Sequence, residues 1–412
     1  MSDTESHRAL ILELGRMLQR HGVPCRHVEL ALEEVAQRLG IEVEVFATVT
    51  ALIVTFEAEE HSRTSLTRVT PTDVDLGALT VLDRIVHRLL DGSLAPAAAR
   101  LELAQLAARR RDVGLFGMRT TPVSSALRML MAALGAAGWC GLLGGGLREA
   151  VAAALAGALL DAGELLAERH RKFTREFTAL AGVIAGATVT WLAATWPPLA
   201  REAAIVGALI PLLPGLSLVT AAEELASKDV VTGSARLIGA SLVFAQLIFG
   251  VAVGTQLQRV LPATVAPTER IAWSLPAQLC MLGPAVLGLA MRLRTELRDL
   301  GWFFLAGLIG FLSGRTVSPL FGVEIGSFVG AFVVGATGNA LARHLERPAL
   351  LTSVPGVLVL VPGALGYRSA SALVAAQPLE GVRIGFSALL VAVALATGLM
   401  LAGSLVPPRR TL

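Results

Sequence analysis

The sequence predicts a predominantly α-helical membrane protein with an N-terminal soluble α+β domain. Three observations carry that prediction. Of 412 residues, 54% are apolar and 16% are charged, against roughly 25% charged in an average soluble domain. Residues 1–120 hold 14 basic and 17 acidic side chains, leaving 36 charges for the other 292 residues. From about Ser124 onward the chain is a succession of apolar stretches, each near the roughly 20 helical residues that cross a hydrocarbon core about 30 Å thick.

The head, residues 1–120, alternates helix and strand signals. From Glu5 to Arg20 the residues Leu10, Leu14, Met17 and Leu18 recur at helical spacing, and Gly22 and Pro24 end the pattern. A second helix spans His27 to Leu39 and stops at Gly40. Ile41 to Phe56 alternates with period two and is rich in β-branched residues, and Ser65 to Thr70 suggests a further strand. Asp73 or Asp75 can cap a helix running to Leu90, and Ser93 with Pro96 opens another that ends near Arg109 to Arg111.

The body divides into ten expected spans: 125–143, 148–166, 177–196, 202–222, 235–257, 271–291, 300–316, 322–341, 349–367 and 383–405. Its charge excess, 21 basic against 15 acidic, reads as loop charge facing a cytoplasm rather than as a nucleic-acid surface. With a cytoplasmic N-terminus, the inside loops and tail hold 13 Arg and Lys, from Arg169 to Arg410, and the outside loops hold 7, from Arg148 to Arg383. Both termini are therefore expected inside. The first 22 residues lack an uninterrupted apolar run, which argues against a cleaved signal peptide.

A faint internal repeat organises the body. The fourth span contains PLLPG and the ninth contains VPGVLVLVPG, so Pro214-Gly215 and Pro362-Gly363 sit near mid-depth, preceded by Pro211 and by Pro355-Gly356. Five spans separate the two segments. An odd number reverses the direction of entry, so residues 121–258 and 271–405 are expected to be five-helix repeats of inverted topology. Proline lacks an N–H and clashes with the preceding turn, so a mid-span Pro-Gly pair frees backbone groups that need protein or a wet cavity. A packing kink is the alternative reading.

Few polar side chains accompany the breaks. Ser217 and Thr220 follow the first, and Thr352 and Ser353 precede the second; they can bind an amine, hydroxyl or carboxylate, or satisfy their own helix backbone. Asp161 with Glu164, and Glu223 with Glu224, are the candidates for proton coupling or amine binding, with a solvated helix end as the alternative. Asn339 and Gln246 suit hydrogen bonds between helices.

Enzyme signatures are missing. Neither lysine, Lys172 or Lys228, follows a glycine, so there is no Walker A sequence, and there is no H-E-x-x-H, C-x-x-C or G-x-S-x-G. Cys25, Cys140 and Cys280 are odd in number and far apart, so neither a disulfide framework nor a zinc site is indicated. No catalytic residue, metal ligand or cofactor is expected. The Gly144 to Gly146 run reads as a tight turn or close helix packing.

Four segments together resemble the threonine/serine exporter family: His21 to Phe56 of the head, the LLGGG turn at Leu142 to Gly146, Pro211 to Leu225 with Val230 to Leu237, and Val354 to Arg368. The resemblance covers nearly the whole chain. It implies an exporter of small hydroxy amino acids in a bacterial cytoplasmic membrane, driven by the proton-motive force, with ten spans and a soluble head. Its implied partners are a small amino acid, protons and the bilayer, with oligomerisation left open. Some relatives split the halves between two subunits, an arrangement associated with dicarboxylate (succinate) export. The family commonly has Asn and Asp after the first Pro-Gly, where this chain has Thr220 and Glu224, so substrate identity is less fixed than fold. Dicarboxylate export is one alternative function, and a membrane-anchored sensor or hydrolase head is another.

Overall fold

The structure, a computed structural model, describes residues 3–57, 62–70, 74–109, 122–169, 177–259, 271–345, 350–360, 363–374 and 377–407. The head begins with α1 (Asp3–Arg20) and α2 (Cys25–Arg38), each with one apolar stripe. A three-stranded antiparallel meander follows: β1 (Val43–Thr48), β2 (Ala51–Phe56) and β3 (Arg63–Arg68). The single alternating segment expected at Ile41 to Phe56 is thus a hairpin, with Val45 opposite Val54 and Ala47 opposite Leu52. Its turn at Val49-Thr50 is held by Thr48 Oγ1, which accepts from the Ala51 amide at 3.1 Å.

Val45, Ala47, Leu52, Val54 and Phe56 form the buried face of the sheet, packed with Leu14 and Leu18 of α1 and Leu32 and Val35 of α2. Two side chains fix this packing. Gln19 donates to the backbone carbonyls of Thr48 and Ala51, and Glu29 accepts from the Ala47 amide at 2.9 Å. Helices α3 (Leu76–Leu90) and α4 (Pro96–Arg109) complete the head. Asp75 is the cap of α3, accepting from Ala78 N at 2.8 Å; Asp73 and the residues after Arg109, up to 121, lie outside the described residues.

The body's secondary structure is all helical among its described residues. The first half comprises α5 (Pro122–Leu142), α6 (Leu147–Arg169), α7 (Phe177–Thr195), α8 (Arg201–Leu209), α9 (Gly215–Ala226) and α10 (Val230–Thr255). The second comprises α11 (Leu275–Arg292), α12 (Leu300–Phe321), α13 (Val323–Leu345), α14 (Leu350–Leu360), α15 (Gly363–Val374) and α16 (Pro378–Leu405). Among the described residues nine stretches are long and apolar enough to cross a membrane, and the α8–α9 pair, bent by 58°, makes a tenth. Several spans depart from the expected bounds. Asp229 caps α10 and starts it before 235, α16 gains a first turn from Pro378 and a Glu380–Arg383 ion pair, and α11 starts later than 271, at Leu275 with Pro276 in its first turn.

The helices pair in corresponding order in both halves. The third packs on the fifth (α7 on α10, α13 on α16), the second on the first limb of the fourth (α6 on α8, α12 on α14), and the second limb on the fifth (α9 on α10, α15 on α16). Among the contacts that cross between halves, α9 on α16 and α15 on α10 form a corresponding pair. Glycines set the closest approaches. A Cβ on Gly182 of α7 would lie 2.9 Å from the Gly250 Cα of α10, and one on Gly250 would overlap the Ala179 carbonyl. In α13 and α16, Gly398 lies against the Phe328 carbonyl and Ala331. The halves meet where α5 crosses α11, with Gly135 against Gly288. Small residues at crossings let backbones approach where no hydrophobic effect drives association in lipid.

The head sits on one end of this body, here termed the head side. Its apolar core is continuous with Leu282, Val286 and Leu289 of α11, Phe303 of α12, and Leu351 and Val354 of α14. Leu76 N donates to Leu293 O at 2.9 Å, and Arg294 lies 3.6 Å from Asp75. The α5–α6 and α7–α8 turns lie at the opposite end, the far side. There the LLGGG segment is a helix-terminating turn as expected, with Gly144 at φ 87° and Gly145 N donating to Cys140 O at 2.9 Å.

Candidate functional site

The break in the fourth span follows from its two prolines. Ile210–Leu212 forms one 3₁₀ turn around Pro211, Leu213 is extended (φ −69°, ψ 132°), and α9 starts at Gly215 with Pro214 before it. A residue preceding proline is pushed out of the helical region by the proline ring, and Leu213 shows that displacement. The Pro211-Leu212 segment faces a cavity of about 40 Å³ that Asp161, Glu164, Phe177 and Arg292 also line.

An ion network forms the polar wall. Asp161, Glu164 and Glu168 of α6 recur at helical spacing along one face. From α5, Arg128 reaches all three: Nε donates to Asp161 Oδ1 at 2.7 Å, Nη2 lies 3.2 Å from Glu164 Oε2, and Nη1 donates to Glu168 at 3.2 Å. Glu164 also accepts from Nη1 of Arg292 on α11, at 2.5 Å. Three carboxylates thus face two guanidiniums, for a formal surplus of one negative charge. Asp161 is 6% exposed, and its Oδ2 is buried without a hydrogen-bond partner among the described residues. An arginine in an apolar span is costly unless paired, and this pairing is what the first span holds around Arg128.

The structure brings Pro211, Asp161 and Glu164 to one cavity and places the other expected residues elsewhere. Pro214 and buried Gly215 form the start of α9, where Ser217 and Thr220 are half-buried. Glu223 is half-buried near the head-side end of α9, and Glu224 beside it forms a two-pronged pair with Arg236 of α10, at 3.0 and 2.8 Å. Thr352 and Ser353 lie at the head-side start of α14 against Gly338 of α13. Pro355 lies inside α14, and Gly356 packs on Gly310 of α12. Gly363 is the first residue of α15, while Pro362 lies outside the described residues. Asn339 makes the expected bond between helices, donating to Val406 O at 2.8 Å.

Among the described residues only α8–α9 is bent, and Leu351–Leu373 counts as one span, its expected break lying outside the described residues; the two proline-containing segments nevertheless share surroundings. Leu212, Leu213 and Leu218 pack on the same buried cluster as Ala364, Tyr367 and Ala370 of α15. Val219 of α9 is clustered with Val357 of α14. The ion-pairing residues that sequence reasoning missed are the arginines: Arg128 lies within an expected span, and Arg292, Arg236 and Arg368 count there only as loop charge. The available signal was Arg128, a lone cation in an apolar run.

Comparison with known proteins gives the family. Residues 9–258 match the family model for a threonine/serine exporter, ThrE, and residues 279–405 match a second threonine/serine exporter model. The chain belongs to the threonine/serine exporter family. It is therefore a multi-pass membrane protein of a transporter family and not an enzyme. Among its relatives is a Mycobacterium tuberculosis protein named "Probable threonine/serine exporter", 26% identical over 97% of this chain and 76% of the relative. The threonine/serine exporter of Corynebacterium glutamicum is 30% identical over 48% of this chain and 41% of its own length. A Debaryomyces hansenii "Pheromone-regulated membrane protein 10" is 28% identical over 40% of this chain and 17% of its own length. No solved structure matches this member of the exporter family.

Proposed function

We propose that this chain exports threonine, serine or a similar small amino acid as a secondary transporter, binding it in the cavity beside the first helix break. The observation that carries this reading is the unpartnered Oδ2 of Asp161 next to the Glu164–Arg292 pair and the Pro211-Leu212 break. A zwitterion carries the complementary charges: its ammonium matches Asp161 and Glu164, and its carboxylate matches Arg292. The surplus of acid over base favours a net-neutral or cationic ligand over a dicarboxylate. Backbone groups released at the break offer further partners at mid-span.

Export then follows by rocking of the two halves as inverted repeats, a reading supported by the corresponding helix pairing. The proton-motive force is the driving force that fits a chain without a nucleotide-binding sequence, and Asp161, Glu164, Glu223 and Glu224 are the residues to carry the coupling proton. The loop charges support a cytoplasmic head and C-terminus in a bacterial inner membrane.

The deciding experiment is flux in proteoliposomes with threonine, serine and succinate. Threonine and serine are expected to be transported, with uphill flux dependent on a proton gradient; preference for succinate would move the function to dicarboxylate export. Substituting Pro214 and Gly215 by alanine lets the helix continue and should reduce transport while the protein stays folded. Near-normal transport per folded molecule would make the break a packing kink. In single Gln variants of the four acids, the coupling residue is the one whose loss abolishes uphill flux but spares downhill exchange.

A further inference from the structure

An ion pair joins the two halves at each end of the body. On the head side Glu164 of α6 meets Arg292 of α11, and on the far side Glu202 of α8 meets Arg368 of α15, with Nε 2.7 Å from Oε1. In both, the acid belongs to the first half and the arginine to the second. Both pairs line a cavity, of about 40 Å³ on the head side and about 90 Å³ on the far side. Glu202 sits in the first turn of α8 and Arg368 in the second turn of α15, so the far pair links the outer limb of the bent fourth span to the ninth.

The charged groups of the far cavity differ in how firmly they are committed. Glu149 accepts from Gly146 N at 3.0 Å and from Ala200 N at 2.8 Å, so its carboxylate ties the α5–α6 turn to the start of α8. Withdrawing it would leave two amides unpaired. Glu202 and Arg368, with side chains 40% and 22% exposed, hold each other instead. Arg368 Nε is buried and has no hydrogen-bond partner among the described residues, so the contact is one of charge alone; if Glu202, the exposed partner, turns away, one carboxylate and one guanidinium are presented to the same space.

The geometry points to the far cavity as an exit site for a zwitterion: Glu202 and Arg368 part, the carboxylate takes the ammonium of the departing molecule, and the guanidinium takes its carboxylate. This rests on the reading of the chain as an amino-acid exporter. Closing the pair again seals the far side, while the matching pair on the head side opens to the next molecule.

Substrate protection of a cysteine tests it. Ala203 lines the far cavity beside Glu202, so Ala203→Cys in a Cys280→Ser background reports on it. The full-length protein in nanodiscs, with both faces accessible, is labelled by a maleimide with and without L-threonine, L-serine or succinate, and threonine transport is measured in parallel. Threonine and serine are expected to slow labelling several-fold, and Arg368→Gln or Glu202→Gln should abolish that protection. Protection unchanged in both variants, or none in a protein that transports threonine, overturns the exit site and leaves the exporter reading intact. Absence of both protection and threonine transport overturns the substrate reading and the exit site together, and the flux assay tells these cases apart.

Discussion

The backbone amide of Leu76 donates to the carbonyl oxygen of Leu293, so the first turn of a head helix is hydrogen-bonded to the loop joining two membrane helices. The adjoining Asp75 serves both partners: Oδ1 caps α3 and Oδ2 faces Arg294. The head is therefore tied to the α11–α12 loop, and Arg292, two residues before Arg294, lies in the candidate site.

Asp75→Ala should lower the stability of the head by about 1–2 kcal/mol, mostly through the lost helix cap. Arg294→Ala should cost less than about 1 kcal/mol, because the Arg294 side chain is 48% exposed and exposed pairs contribute little. Thermal unfolding of the purified protein compares them. Equal losses would mean that the cap is not the dominant contribution.

Cys25 gives a probe of head docking. Burial, followed by the charge of Glu224, pushes its thiol up to about 12, so at pH 8 roughly one molecule in ten thousand carries the reactive thiolate. Alkylation of Cys25 should be negligible in the folded protein and should appear on denaturation. Fast labelling without denaturant would place the head away from the body.

Acid should loosen the head through His27. Burial, then the neighbouring Arg26, lowers its pKa below 6.5. Below about pH 6.5 the unfolded chain takes up a proton that the folded head resists, so stability falls as pH drops through that range. His27→Gln should flatten the difference in Tm between pH 7.5 and pH 5.5. An unchanged difference would assign the acid sensitivity to other groups.

Arg128 should be the residue in the body least tolerant of substitution. Arg128→Leu leaves three carboxylates without their shared partner and should cost about 3–5 kcal/mol, the range for breaking a buried pair. Arg128→Lys keeps the charge but loses the three-way fork, and an intermediate loss is expected. Folded yield by size-exclusion chromatography checks both, and a normal yield for the leucine variant would show that the network is dispensable.

Much of the fold was legible because its signals are local. Apolar length placed the spans, Asp75 stood before an apolar run as a cap should, and Gly144 marked a turn. The hairpin turn was not legible, since Val49-Thr50 contains none of the usual turn residues and only cross-strand pairing reveals it. The site was half legible. Pro211, Asp161 and Glu164 could be picked out individually, but their meeting at one cavity depends on α6 packing against α8. Arg292 was hidden for a different reason: a cation at a helix end reads as loop charge until its partner on another helix is known.

The glycine crossings described above divide the body into parts that can move and parts that cannot. Where Gly182 and Gly250 bring α7 and α10 backbone to backbone, no side chain is available to re-pack, and sliding would drive carbonyls into Cα atoms. Such a seam behaves as a weld. The third and fifth helices of the first half then swing as one lever, and the Gly398 crossing fuses the corresponding pair in the second. The Gly135–Gly288 crossing of α5 and α11 is a third such seam, so relative motion of the two levers is left to the contacts of α9 with α16 and of α15 with α10.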